Sequence, residues 1–229
     1  IDFSETTPDT YPPALLETEQ WMGRKGKLPF APWGDRNAAL ECSHTTCPEH
    51  DDETAEVVVS DCPNCQAHRD GTTTAECGHD ARFKWGHTEH YVDGETVGMA
   101  EDDPRLDGRV FIQRDSDRFV FVDGDDVRCP ETGEVHPEFI ALLDRLGFTY
   151  ADVSTSGAGV HAYYTGEIPV DGQGEAVFDI DTEPWGENDD PPTVEIYANK
   201  HVCVATGDHV RGTPEDLVEW DPAELELIL

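Results

Sequence analysis

Two periods of apolar and polar positions run along the chain. Val110-Phe111-Ile112 and Phe119-Val120-Phe121-Val122 are apolar runs of strand length, and the second leads directly into Asp123-Gly124-Asp125-Asp126. From Pro137 onward, Phe139, Ile140, Leu142, Leu143 and Leu146 recur at helical spacing. Proline at the start and Gly147 at the stop predict a helix between them. Tyr150 to Ser154 reads as a strand, Ser156-Gly157-Ala158-Gly159 as a tight loop, and Val160 to Thr165 as a further strand. A long acidic loop with Pro184, Pro191 and Pro192 is expected next. Val194 to Ala198 and His201 to Thr206 then predict a β-hairpin turned near Asn199-Lys200, and the tail predicts a short helix from Pro222. Residues 1–20 are polar, with Pro12-Pro13, and predict no element. The order is mixed α and β, with no internal repeat.

Charge changes this picture most. Fifty Asp and Glu face fifteen Lys and Arg, for a formal net charge of −35 over 229 residues. In dilute buffer such like charge strains a compact fold. At molar salt the Debye length shrinks to about 3 Å and the strain is screened. The acid is spread along the chain rather than gathered in a tail, so a salt-loaded cytoplasm is the expected setting, ahead of an acidic partner for basic proteins. Global acidity normally argues against nucleic-acid binding. At high salt, however, counterion release gives little affinity to any protein, so phosphates must be held by metal ions and local contacts. No apolar run is long enough to span a membrane, and no secretory leader opens the chain. The chain begins at Ile1 without a methionine, as a fragment of a longer protein would. Its length suits a single domain over 1–229, interrupted by an insert at 38–80.

Candidate chemistry begins where the apolar strand meets Asp123-Gly124-Asp125. Residues two apart on a strand share a face, with Cα atoms about 6–7 Å apart. Two carboxylates so placed can converge on a pair of hard cations roughly 4 Å apart. Magnesium takes oxygen ligands and keeps waters that substrate phosphates replace. Gly124 leaves room for close approach, and Asp126 is an alternative second ligand. In so acidic a chain, the same run also suits a solvated turn. Ser154-Thr155-Ser156-Gly157-Ala158-Gly159-Val160-His161 sets small residues before a strand bearing a histidine. Its glycines free backbone N–H groups to face an anion, and hydroxyls and imidazole add donors. Glu195, in Val194-Glu195-Ile196-Tyr197, is a lone acid between apolar neighbours, costly to bury unless a metal or a cation such as Lys200 satisfies it.

Five of the seven cysteines fall between Cys42 and Cys77, interleaved with histidines. Clustering of this kind in an intracellular protein points to metal rather than disulfides. Cys62-Pro63-Asn64-Cys65 is a knuckle of the type that presents two thiolates to zinc, and four such ligands close a tetrahedral structural site. Cys42, Cys47, Cys62 and Cys65 form the most ribbon-like set. Cys62, Cys65, Cys77 and His79 form a compact rival, and two zinc ions sharing the pool are a third arrangement. Cys129 and Cys203 lie apart, Cys203 where a buried small hydrophobe would sit. A second cluster, Arg24, Lys25, Lys27 and Arg36 interleaved with Trp21, Phe30 and Trp33, is the densest basic group and a candidate contact for phosphate or template.

In order, FVFVDGD, STSGAGVH and TVEIY resemble the three motifs of the archaeo-eukaryotic primase superfamily, in particular the primase–polymerase (prim-pol) branch of plasmids, viruses and mobile elements, here of haloarchaeal type. NKHVCVATG is similar to the strand that follows the third motif, with Lys200 as its basic residue, and KLPFAPW resembles a segment before the first. The likeness covers roughly residues 20–210 and is specific only at the motifs. It implies an α+β fold: an RRM-like antiparallel sheet flanked by helices, joined to a smaller α/β unit and here carrying the zinc-binding insert. It also implies a DNA primase–polymerase in which Asp123, Asp125 and Glu195 hold Mg²⁺ or Mn²⁺. His161, with Ser154, Ser156, Gly157, Gly159 and Lys200, would hold the incoming nucleoside triphosphate. DNA template and primer are the implied partners, with a helicase domain or partner as companion. Gly124 departs from the apolar residue usual in the first motif, and the Cys/His insert precedes that motif, so its zinc assignment rests on spacing alone. A catalytically silent single-stranded DNA-binding module and a metal-dependent nuclease or phosphoesterase are the competing functions.

Overall fold

The computed structural model describes residues 1–26, 28–30, 41–42, 57–58, 81–82, 91–100, 103–104, 106–114, 118–166, 175–180, 182, 184–185, 191–220 and 223. Its strands are β1 (Asp2–Thr7), β2 (Trp21–Lys25), β3 (Leu28–Phe30), β4 (Glu41–Cys42), β5 (Val57–Val58), β6 (Ala81–Arg82), β7 (Gly108–Ile112), β8 (Phe119–Asp125), β9 (Ala151–Val153), β10 (Val160–Thr165), β11 (Glu175–Asp179), β12 (Thr193–Tyr197), β13 (Val202–Ala205), β14 (His209–Arg211) and β15 (Val218–Glu219). The helices are α1 (Pro13–Leu16), α2 (Gly94–Gly98) and α3 (Pro137–Leu146). The class is α+β, with antiparallel sheets and few helices.

The larger sheet runs β1-β14-β9-β10-β8-β12-β11, with β15 pairing β10 in parallel. A four-stranded sheet runs β13-β7-β2-β3, and a three-stranded one runs β5-β4-β6. Central strand β8 shows how side-chain alternation builds two cores. Val120 and Val122 pack with Phe139, Leu142, Leu143 and Leu146 of α3, and with Ala162, Val194 and Ile196. Phe119 and Phe121 face the other way, into a cluster with Trp21 and Phe111 from the smaller sheet, Tyr163 and Cys203. Each large apolar side chain buried this way contributes about 1.5–3 kcal/mol.

Helix α3 forms where the spacing predicts it. Pro137 opens it, with its missing N–H among the donors left unpaired there anyway, and Gly147 ends it at φ 85°. Phe139, Leu142, Leu143 and Leu146 are its buried stripe.

Several expectations are corrected. The segments at Val194 to Ala198 and His201 to Thr206 are strands but not a hairpin: β12 pairs β8 and β11, whereas β13 pairs β7 in the other sheet. The chain crosses between sheets at Asn199–His201, where Lys200 takes a left-handed φ of 48°. Alternation predicts which way side chains face but not which strand lies alongside, and a left-handed turn serves a crossing as well as a hairpin. The acidic loop after Thr165 contains β11, an edge strand on β12. Residues 1–20 form β1, which pairs β14, and the short α1. The helix from Pro222 lies outside the described residues except at Ala223. No helix among the described residues is long and apolar enough to cross a membrane.

Candidate metal centre and nucleotide site

The register of the larger sheet builds the site. Glu195 on β12 lies opposite Asp123 on β8. Asp123 lies in turn opposite His161 on β10, and His161 opposite Asp152 on β9. Direct cross-strand partners project from the same face. Four adjacent strands thus present Glu195, Asp123, His161 and Asp152 in one row. The face is that of Phe119 and Phe121, beyond the point where the smaller sheet covers it.

Asp125, two residues after Asp123, joins the row's acidic end. Asp123, Asp125 and Glu195 each offer an oxygen, all within 4.8 Å of one another, so this cluster has the geometry to hold a metal ion. Asp125 is exposed, and Asp123 and Glu195 are half-buried. Asp126 leaves the strand at φ 55° and stands outside the cluster, which makes Asp125 the second member of the pair. Three carboxylates repel at this distance, by about 1 kcal/mol per pair even in bulk water. A donor set of three hard oxygens suits magnesium or manganese, which would offset that repulsion.

Gly124 turns its back to the cluster. A Cβ there would come within 2.7 Å of the Phe139 ring and 2.9 Å of Val127. The glycine therefore makes room for α3 rather than for ions, and the Phe139 ring fills the space that the expected apolar side chain would take.

His161 is buried at the centre of the row. Its Nδ1 is 2.9 Å from Asp152 Oδ1. Its Nε2 is 3.6 Å from Asp123 Oδ1. Burial alone would pull its pKa down; the charges of Asp123 and Asp152 and the Asp152 hydrogen bond outweigh that and push it up to about 9. Asp152 is 0% exposed, and its Oδ2 accepts N–H bonds from Thr206 at 2.9 Å and Gly207 at 3.2 Å.

Beside β10, the loop after β9 is held by its own bonds. Ser154 Oγ accepts from the Gly159 N–H at 2.9 Å and lies 3.0 Å from Ser156 Oγ. Ser156 Oγ accepts from the Ala158 N–H at 3.2 Å. The Gly157 N–H donates to the Ser154 carbonyl at 2.9 Å. These amides brace the loop and leave the exposed Thr155 and Ser156 at its tip. Arg128 anchors it from behind, donating to the Gly157 carbonyl at 2.6 Å and to the Phe3 carbonyl at 3.0 Å.

At the acidic end, the Tyr197 hydroxyl donates to Glu195 Oε2 at 2.6 Å. The Tyr197 ring stacks on His201 at 3.6 Å, and His201 stacks on Phe121. Burial, with His161 nearby, holds His201 neutral, its pKa pulled down to about 4. Lys200 is exposed at the crossing between Tyr197 and His201.

The sequence reading identified Asp123, Asp125, His161 and Glu195, and the structure brings these four together. It missed Asp152, Tyr197, His201 and Arg128. Asp152 carried a signal: it is a lone acid in the apolar run Tyr150-Ala151-Asp152-Val153, the pattern that drew attention to Glu195.

The expected zinc ligands Cys47, Cys62, Cys65, Cys77 and His79 lie outside the described residues, and of Cys42 only its place on β4 is described. Cys129 and Cys203 are not in a disulfide. In the basic segment, Trp21 is a core residue whose Nε1 donates to the Leu15 carbonyl at 2.7 Å, and Arg24 donates to the Gly26 carbonyl at 2.7 Å. Lys27, Trp33 and Arg36 lie outside the described residues. No protein-family model matches the chain, and no curated protein matches it in sequence.

Proposed function

We propose that the chain is a template-dependent nucleotidyltransferase, a DNA primase–polymerase of the kind its motifs resemble, working in a salt-loaded cytoplasm. The observation that carries this reading is the register row: the carboxylates Asp123 and Glu195 and the imidazole of His161 occupy directly paired positions on three neighbouring strands. A solvated acidic turn needs no such alignment with a buried histidine.

Asp123, Asp125 and Glu195 would hold Mg²⁺ or Mn²⁺. When bound, the metal supplies charge neutralisation at the α-phosphate and activation of the primer 3′-oxygen. The residues do the rest. Asp123 and Glu195, fixed by β8 and β12, set where the reacting groups meet. His161 presents Nε2 to the phosphates beside Asp123. The tip of the braced loop, with Ser156, and Lys200 add donors around the triphosphate. The Phe121, Tyr197 and His201 rings wall the cluster on one side, which lowers the local dielectric and strengthens every charge interaction within it. Zinc held by the Cys/His insert and a grip on template by the basic segment belong to this proposal too.

The test is extension of a primed and an unprimed DNA template in high salt with Mn²⁺ or Mg²⁺ and labelled nucleotides. Extension that Asp123→Ala and Glu195→Ala abolish supports the proposal. Retarded DNA migration without extension identifies a single-stranded DNA-binding module instead. Release of label from the template identifies a nuclease or phosphoesterase.

A further inference from the structure

Asp152 has no part in the reaction as drawn above, yet it is the most deeply buried carboxylate beside the site. A charge taken out of water is costly unless hydrogen bonds hold it. Asp152 has three close partners: the Thr206 N–H at 2.9 Å, the Gly207 N–H at 3.2 Å and His161 Nδ1 at 2.9 Å. The two backbone N–H groups occupy Oδ2 and turn Oδ1 to His161, where a carboxylate oxygen accepts from Nδ1–H. A ring tethered through Nδ1–H has its opposite nitrogen aimed. Here Nε2 is aimed at β8, 3.6 Å from Asp123 Oδ1.

We propose that Asp152 is a positioning residue for His161: it fixes the proton on Nδ1 and aims Nε2 at the face where the Asp123, Asp125 and Glu195 cluster would meet a triphosphate. The consequence for nucleotide handling rests on the nucleotidyltransferase reading; the tether itself does not. Thr206 and Gly207 belong to the connection from β13 in the smaller sheet to β14 in the larger. The carboxylate thus ties that connection to the imidazole, and the two sheets meet at the histidine.

Asp152→Asn keeps the shape and changes the protons. Its amide oxygen must turn to the Thr206 and Gly207 donors, which leaves its NH₂ facing Nδ1 and moves the ring proton to Nε2. In metal-free wild-type protein above about pH 10, where the ring is neutral, nitrogen-15 NMR of His161 should show its one proton on Nδ1, moved to Nε2 in Asp152→Asn. A bare Nδ1 in the wild type overturns the proposal whatever the protein does, and needs no variant to fold.

Extension kinetics on a primed template, with Mn²⁺ in high salt, test the consequence. Asp152→Asn should lower kcat/KM for the nucleotide by about 10- to 100-fold. In a His161→Ala background the same change should cost less than about threefold, because Asp152 acts through the ring. Equal losses in both backgrounds, or a wild-type rate in Asp152→Asn, overturn the proposal. If the wild type neither extends a primer nor binds nucleotide, the functional reading fails while the NMR result still decides the tether.

Discussion

Tyr197 donates its hydroxyl to Glu195 Oε2 at 2.6 Å from two residues along the same strand. The bond sets which way the carboxylate turns and occupies one of its oxygens. Tyr197→Phe keeps the ring and its stack on His201 but releases Glu195. Affinity for Mn²⁺, measured by calorimetry or by electron paramagnetic resonance, should fall about tenfold, the lower end for an outer partner of a metal ligand. Unchanged affinity would remove Tyr197 from the metal centre.

Asp125 is the exposed member of the cluster, and its substitution should separate stability from function. In metal-free protein, Asp125→Asn relieves repulsion with Asp123 and Glu195, so thermal stability in chelator should rise or hold. Mn²⁺ binding and nucleotide incorporation should both drop sharply. A variant that melts earlier in chelator would show that the three carboxylates are not in conflict.

Behind the cluster, Gly124 and Phe139 share one space. Gly124→Val forces its side chain into the Phe139 ring and should destabilise the fold by about 1–3 kcal/mol in urea titration, the usual cost of overpacking. Pairing it with Phe139→Leu should recover part of the loss. Failure of any such recovery would place the strain elsewhere.

His201 gives a pH dependence of known sign. Its folded pKa is held near 4 by burial and by His161, below the ordinary histidine value of 6.5. Between those values the unfolded chain binds the extra proton, so this contribution is fully present above pH 6.5 and is lost as pH falls toward 4. His201→Phe keeps an aromatic stack without the proton. Between pH 7 and pH 5 it should lose about 2 kcal/mol less stability than the wild type, read by urea unfolding in high salt. Parallel losses in both proteins would show that His201 protonates freely in the fold.

The zinc site proposed for the Cys/His insert can be tested directly. Metal analysis of protein purified in high salt should find zinc, and Cys62→Ser or Cys65→Ser should lower its content. Cys129→Ser and Cys203→Ser should leave it unchanged, since these two thiols stand apart from the insert in the sequence. Equal zinc in all four variants would show that the knuckle is not a ligand pair.

Much of the site was legible because lone polar residues in apolar strands are conspicuous. Glu195 and His161 stand out that way, and Asp123 and Asp125 mark the end of an apolar run. Asp152 stands out in the same way, as a lone acid between Ala151 and Val153. Pairing was less legible. Nothing in β12 or β13 says that they join different sheets, because alternation sets facing and not partners. Gly124 shows the third limit. Its smallness was plain in the sequence, but whether it served ions in front or a phenyl ring behind depended on the direction of one Cα–H bond.

Asp123, His161 and Glu195 come from three strands widely separated along the chain, and no short segment contains the set. Pairings between such distant segments form late and slowly, because chain entropy must be lost before any contact repays it. Partly folded forms therefore hold Asp123 and Asp125 without Glu195, an incomplete set with a weaker grip on a cation. Ligation by all three would favour the finished sheet and act as a clasp across it. At a free cation concentration a hundredfold above its dissociation constant, that clasp would add about 2.7 kcal/mol to the native state.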